Sequence, residues 1–322
     1  MKNYIPTINI SSLLKTNFDN LKAKNTIRKI EKACVEVGFF QVVGHGIEIN
    51  EINNVCKIGN KFFNSPAKNK IKLAPKKWNK KNNNIYRGYF PSSVNGKEGL
   101  DLGDFKITPY NLKKYKSPYI EYINLNKSLN KSSINYLSKY FDNIFYLSEI
   151  LFKSIISIYK KDLNISGHAF SRYKTLSTLR FNYYPNQTKP VEISKQDGVA
   201  LGCETHVDSG VFTILYQDKK GGLQVQNRRS KKWYDVPFNK NALVVNTGLA
   251  LEYLSKGKFK ATNHRVLWNK TKRLSIPFFF EPSYDFKMSH SFLGNNLKNK
   301  EKGIFFQNFL KKSLKKFIEY QR

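Results

Sequence analysis

Acidic residues are scarce in this chain. Its 322 residues include 56 Lys and Arg but only 23 Asp and Glu, a formal net charge of +33. Cysteine, tryptophan and methionine are also rare, at three, three and two. Cys34, Cys56 and Cys203 form no CxxC pair and no even set, which argues against a disulfide framework and for a reducing compartment. No uninterrupted apolar run approaches the roughly 20 residues of a membrane-spanning helix. Residues 1–14 lack a basic stretch followed by an apolar one, as a secretory leader would have. The expected location is therefore the cytoplasm, with no membrane partner. Arginine is scarce too, at nine of the 56 basic residues. Phosphate and base readout favour Arg forks. Lysine is spread along the whole chain with abundant Asn and Ile, residues of A- and T-rich codons. The charge thus reads as a solvated surface, and no specific nucleic-acid partner is expected.

What is abundant is aromatic residues: 24 Phe and 19 Tyr, with 40% hydrophobic residues overall, enough for a large packed core. The first half carries helical periodicity. Phe18, Leu21, Ile27, Ile30, Cys34 and Val37 share one face, and Gly38 stands where a helix C-cap falls. Phe39 to Val43 reads as a strand and Ile49 to Phe63 as a second helix. Pro66, Pro75, Pro91 and Pro109 make the stretch to about Ser117 loop-like. Ile134 to Ile158 marks a long amphipathic helix.

After about residue 175 short apolar runs replace the helical pattern, at Leu176–Tyr184, Val211–Tyr216, Gly222–Val225, Ala242–Val245, His264–Trp268 and Leu274–Phe280. Gly, Asn and Pro separate them, as in an antiparallel sandwich or jelly roll. A closing helix is expected between Ile304 and Ile318. The expected fold is mainly β with flanking helices. Residues 1–170 form a helical region with a few core strands, 171–290 a jelly-roll core and 291–322 a C-terminal helix.

The chemistry concentrates in His206-Val207-Asp208, His264 and Arg273-Leu274-Ser275. On a strand, His206 and Asp208 point the same way. His264, 56 residues on, comes from another strand and can close a two-histidine, one-carboxylate set. That set suits ferrous iron and leaves coordination positions open for small ligands. Arg273 and Ser275, also at period two, offer a guanidinium and a hydroxyl to a carboxylate. A bare His-x-Asp is a weak signal, and its order with the later pieces gives it weight.

These residues lie among longer blocks: Gly38-Phe39-Phe40-Gln41-Val42-Val43-Gly44-His45-Gly46, Lys97-Glu98 through Asp104, Leu179-Arg180-Phe181-Asn182-Tyr183-Tyr184-Pro185, Asn263-His264-Arg265-Val266 and Arg273-Leu274-Ser275-Ile276-Pro277-Phe278-Phe279. In this order they resemble the isopenicillin N synthase-like family of 2-oxoglutarate- and Fe(II)-dependent dioxygenases. The resemblance implies a double-stranded β-helix (cupin-like jelly roll) with iron on His206, Asp208 and His264. It also implies 2-oxoglutarate on Arg273 and Ser275, with Tyr184 and Asn182 beside it. The implied reaction consumes O2 and oxidises a small metabolite by hydroxylation or desaturation, giving succinate and CO2, with ascorbate as a candidate reductant. Val207 stands where the family usually has Thr. Arg87, Cys203, Phe280 and Glu281 are expected to wall the substrate pocket, while His45, His168 and His290 are not expected to bind metal. Two alternatives stand beside this reading. One is an iron oxidase of the same fold that does without 2-oxoglutarate, and the other is a non-catalytic basic protein that binds nucleic acid.

Overall fold

A computed structural model describes residues 4–15, 18–93, 96–159, 167, 169–186, 189–290 and 303–320. Two sheets face each other. In chain order the strands are β1 (Thr7–Asn9), β2 (Phe39–Val43), β3 (Gly88–Phe90), β4 (Glu98–Leu102), β5 (Thr178–Tyr184), β6 (Glu192–Ile193), β7 (Ala200–His206), β8 (Phe212–Gln217), β9 (Leu223–Gln226), β10 (Trp233–Asp235), β11 (Leu243–Thr247), β12 (His264–Leu267) and β13 (Arg273–Phe280). The large sheet runs β1-β2-β11-β8-β13-β5-β4-β3 and the small one β10-β9-β12-β7-β6. Every pairing is antiparallel except that of β1 with β2. Two facing antiparallel sheets of interleaved strand order are the jelly-roll architecture.

Helices cover the outer face of the large sheet. Helix α1 (Leu21–Glu36) starts where the Asn20 side chain accepts the Ala23 N–H, and it ends at Gly38, whose φ of 76° reverses the chain into β2. Helix α2 (Ile49–Phe63) and the 28-residue α3 (Lys131–Ile158) follow, with short α4 (Leu249–Leu254) and α5 (Phe306–Leu314) later. No helix among the described residues is long and apolar enough to cross a membrane. The main core lies between α3 and the large sheet. Phe141 meets Phe278 at 5.1 Å between ring centroids, Phe145 meets Phe280 at 5.3 Å, and Phe170 stacks on Phe280 at 4.0 Å. Between the sheets a smaller cluster holds Phe39, Tyr184, Cys203, Leu223, Val225, Val244 and Val266. This inner layer is thin because a cavity takes up part of its space.

The long elements sit where periodicity placed them. The stretch from 64 to 117 also contains β3 and β4, which are three and five residues long, too short for a pattern to repeat. Strand β7 stood outside the apolar runs because Gly202, Glu204 and Thr205 interrupt it. It ends at His206, so Asp208 follows the strand rather than lying on it.

Phe280 is fully buried in the α3 interface and packs against three other aromatic rings. Phe280→Ala should cost about 3–5 kcal/mol of stability by leaving a cavity there. Chemical denaturation measures this, and a loss under about 1 kcal/mol would mean the layer can collapse onto the gap.

Candidate active site

Strand β13 shows how the sequence builds the site. Along it Arg273, Ser275, Pro277, Phe279 and, just beyond, Glu281 line the cavity, while Leu274, Ile276, Phe278 and Phe280 turn to the helical core. Of the four residues expected in the pocket wall, Cys203 and Glu281 line the cavity and Phe280 does not. Its parity puts it on the other face. Arg87 does not line it either. Its guanidinium donates to the Ser177 carbonyl at 3.0 Å and the Leu176 carbonyl at 2.9 Å, bracing two chain segments.

Strand β7 departs from simple alternation. His264 pairs with His206 but Val266 with Cys203, so β7 spends three steps where β12 spends two. This bulge turns both Cys203 and His206 into the cavity. One potential ligand atom each from His206, Asp208 and His264 lies within 4.8 Å of the others. Both imidazole Nε2 atoms stand 3.7 Å from Asp208 Oδ1. His206 Nδ1 is 2.8 Å from the Glu204 carbonyl and His264 Nδ1 3.2 Å from the Thr262 carbonyl. A carbonyl only accepts, so each Nδ1 carries a proton and each Nε2 faces the common point, where it offers a lone pair once unprotonated. Asp208 Oδ2 accepts from Thr213 Oγ1 at 2.6 Å and Asn246 Nδ2 at 2.8 Å, which leaves Oδ1 as the free donor. Close approach secures this carboxylate: a Cβ on Gly248 would stand 2.2 Å from the Gly210 carbonyl oxygen and 3.1 Å from that of Asp208.

Electrostatics agree with a cation at that point. Burial pulls both imidazoles down. At His206 the Cys203 sulfur and the Asp208 carboxylate outweigh burial and lift the ring to about 9, whereas at His264 the His206 charge adds to burial and holds it near 4. Burial also raises Asp208, but the two rings and the Thr213 and Asn246 donors overcome it and leave the carboxyl ionised. One ring therefore holds a positive charge beside Asp208, and a divalent ion can supply that charge instead.

The second expected cluster also converges. Arg273 is 3% exposed, yet no carboxylate lies within 4 Å of it among the described residues. Its Nε donates to the Gly221 carbonyl at 2.8 Å, its Nη1 stands 3.5 Å from Ser275 Oγ, and its guanidinium lies 4.9 Å from the Tyr184 ring centre. Asn182 Oδ1 in the same wall has no hydrogen-bond partner. A buried guanidinium without an anion is unfavourable, so the pocket fits a ligand carboxylate.

The cavity continues past these groups to residues the sequence did not point to. Arg180 is forked onto Asp101 at 2.5 and 2.7 Å, and the Tyr320 hydroxyl accepts from Arg180 at 2.8 Å and donates to Asp101 at 3.0 Å. Leu310 and Leu314 of α5, with Phe317, Glu319 and Tyr320, form that wall. Lys97, at the entrance to β4, reaches in beside Cys203. None of these contacts has a local signal, because each joins segments more than 70 residues apart. His45 is occupied locally, its Nδ1 accepting the Ile47 N–H, and His290 lies against Tyr253 with ring centres 3.8 Å apart. His168 lies outside the described residues.

Residues 175–282 match the profile of the 2OG-Fe(II) oxygenase superfamily, and residues 5–141 match that described as non-haem dioxygenase in morphine synthesis N-terminal. A probable iron/ascorbate oxidoreductase of Dictyostelium discoideum is 32% identical over 308 residues, covering 87% of this chain and 82% of that protein. Isopenicillin N synthase of Streptomyces griseus is 27% identical over 288 residues, covering 87% and 85%. Among solved structures, full-length Neurospora crassa T7H in complex with alpha-KG and 5-formyluracil superposes with a TM-score of 0.76 at 22% identity, over 95% of this chain and 94% of that one. This last is a likeness of fold.

Two predictions follow from the geometry. Asn246→Leu removes one of the two donors on Asp208 and should weaken ferrous-ion binding roughly 10- to 100-fold in a protein that still folds. Competition with a chelator measures it, and an unchanged affinity would relieve Asn246 of any orienting role. Glu281, 2% exposed, is raised from the ordinary 4.5 to about 8 by burial, which the Arg87 charge and Ser209 hydroxyl only partly offset. Its neutral form therefore stabilises the fold fully below pH 4.5, and that contribution is lost as pH rises through about 8. Glu281→Gln should gain in Tm relative to the wild type across that interval, and a gap independent of pH would show that Glu281 titrates normally.

Proposed function

Because this chain belongs to the 2OG-Fe(II) oxygenase superfamily, we propose that His206, Asp208 and His264 hold its iron and that Arg273 and Ser275 hold the distal carboxylate of 2-oxoglutarate. The protein is a 2-oxoglutarate- and Fe(II)-dependent dioxygenase that oxidises a small molecule with O2, giving succinate and CO2. The observation that carries the residue assignment is one cavity holding both a converged His-Asp-His set and a buried arginine without a carboxylate partner.

When bound, ferrous iron supplies the oxygen activation that no protein side chain can provide. The chain's own part is positioning. Backbone carbonyls fix both histidine tautomers, Thr213 and Asn246 fix the carboxylate, and the Arg273 fork with Ser275 sets the depth of the co-substrate. Tyr184 and Asn182 border the same space, and the unpaired Asn182 Oδ1 has an acceptor to offer there. Aromatic and aliphatic walls from Phe39, Leu215, Leu223 and Val266 keep water out of it.

The far end of the cavity defines the substrate in outline. Phe279, Leu310, Leu314 and Phe317 give an apolar wall, while Thr178, Glu281 and the Arg180–Asp101–Tyr320 cluster give a polar one. A small metabolite with an apolar body and a polar end suits this division. The T7H relative in fold has 5-formyluracil bound, a ligand on this scale.

Anaerobic addition of Fe(II) and then 2-oxoglutarate should produce the visible iron-to-oxo-acid charge-transfer band, which Asp208→Ala should abolish. Arg273→Lys should weaken 2-oxoglutarate binding roughly 10- to 100-fold, since an ammonium cannot reproduce the fork. Iron binding without the band, or oxygen uptake without succinate, would instead place the protein with the oxidases of this fold that dispense with 2-oxoglutarate. An unchanged co-substrate affinity in Arg273→Lys would move the anchor elsewhere.

A further inference from the structure

The pair formed by Lys97 and Cys203 is left over by the reaction. Lys97 Nζ donates to Cys203 Sγ at 3.1 Å across 106 residues of sequence, joining the entrance of β4 to β7. Both side chains line the iron cavity, whose wall also holds His206. The hydrogen-bond partner of the Cys203 thiol is thus a lysine amine, and a proposed iron ligand, His206, ends the same strand.

Three facts bear on what such a thiol does. It lines the cavity in which oxygen is to be activated, and sulfur is more easily oxidised than carbon. It is 7% exposed, so it is reached only through the cavity itself. Cys34 and Cys56 are unpaired, lie elsewhere in the fold and cannot resolve an oxidised Cys203 as a disulfide. The amine in contact is the Lys97 nitrogen.

We propose that, when the enzyme turns over without its substrate, Cys203 is oxidised in its place and then condenses with Lys97, forming a sulfur–nitrogen (sulfenamide) bond between β7 and the β4 entrance. The inference rests on the reading of the site as an iron and 2-oxoglutarate centre. One atom of O2 enters succinate as 2-oxoglutarate loses CO2, and the other bonds to Cys203 Sγ to give the sulfenic state. The sulfenate oxygen takes a proton from the Lys97 ammonium, and the freed Nζ amine then attacks that sulfur. The S–N bond forms, the S–O bond breaks, and the oxygen leaves as water with two of the three protons the ammonium carried. O2 takes four electrons, two from 2-oxoglutarate and two from the thiolate. No other oxidant is needed. The bond ties down both side chains in the cavity wall and consumes the thiol, so oxidation of Cys203 stops at one event.

The experiment incubates the full-length protein in air with Fe(II) and 2-oxoglutarate and no added substrate. Succinate is measured, and non-reduced peptides are analysed by mass spectrometry. A joined peptide carrying Cys203 and Lys97, two hydrogens lighter than its parts and separated by a phosphine reductant, is expected. It should be absent without oxygen and in His206→Ala. In Lys97→Arg the sulfur should instead be recovered as the sulfenic acid, trapped by dimedone, or as a higher oxide. Succinate formed while Cys203 stays a free thiol would overturn the inference and leave the functional reading standing. So would oxidation of wild-type Cys203 to sulfinic acid with Lys97 unmodified. If no succinate forms and Cys203 is unchanged, the inference falls, and the charge-transfer band decides the functional reading separately.

Discussion

The Asp208 carboxylate is the point on which the rest of the site depends. A buried carboxylate is tolerated only when its lone pairs are answered. Here one oxygen is held by Thr213 of β8 and Asn246 of β11, both in the large sheet. The other faces His206 of β7 and His264 of β12, both in the small sheet. The group therefore joins the two layers of the jelly roll where the apolar packing between them gives way to a cavity. Shifting any of these four strands changes the geometry of the whole centre.

The cavity survives inside a stable protein because stability is supplied elsewhere. The aromatic layer between α3 and the large sheet is continuous, and it anchors β13 from behind through Phe278 and Phe280. The front of the same strand is then free to carry Arg273, Ser275 and Glu281, none of which would be chosen for a core. One strand thus separates packing from chemistry by alternation alone.

Much of this was legible in the sequence. The spacing of His206, Asp208 and His264, and of Arg273 with Ser275, announced two clusters, and the structure brings each together. Parity along β13 could also have decided between the neighbours Phe280 and Glu281, since both cannot face one cavity. Other features had no local signature. The extra residue in β7, which turns Cys203 and His206 the same way, appears only in its pairing with β12. Arg87 looked like a pocket residue by its place in the loop-like stretch before β4, but its guanidinium is committed to two backbone carbonyls. Lys97, Asn246 and Tyr320 act through partners far away in the chain, which periodicity cannot reach.

The C-terminal wall of the cavity gives the site a concentric order along the chain. The proposed iron ligands span 206–264, the proposed co-substrate contacts enclose them at 182–275, and the far wall encloses both, from Asp101 to Tyr320. Changes at the outermost positions can reshape what the cavity admits without disturbing the intervals nested inside them. A lineage built this way can exchange one metabolite for another while its oxygen chemistry stays fixed.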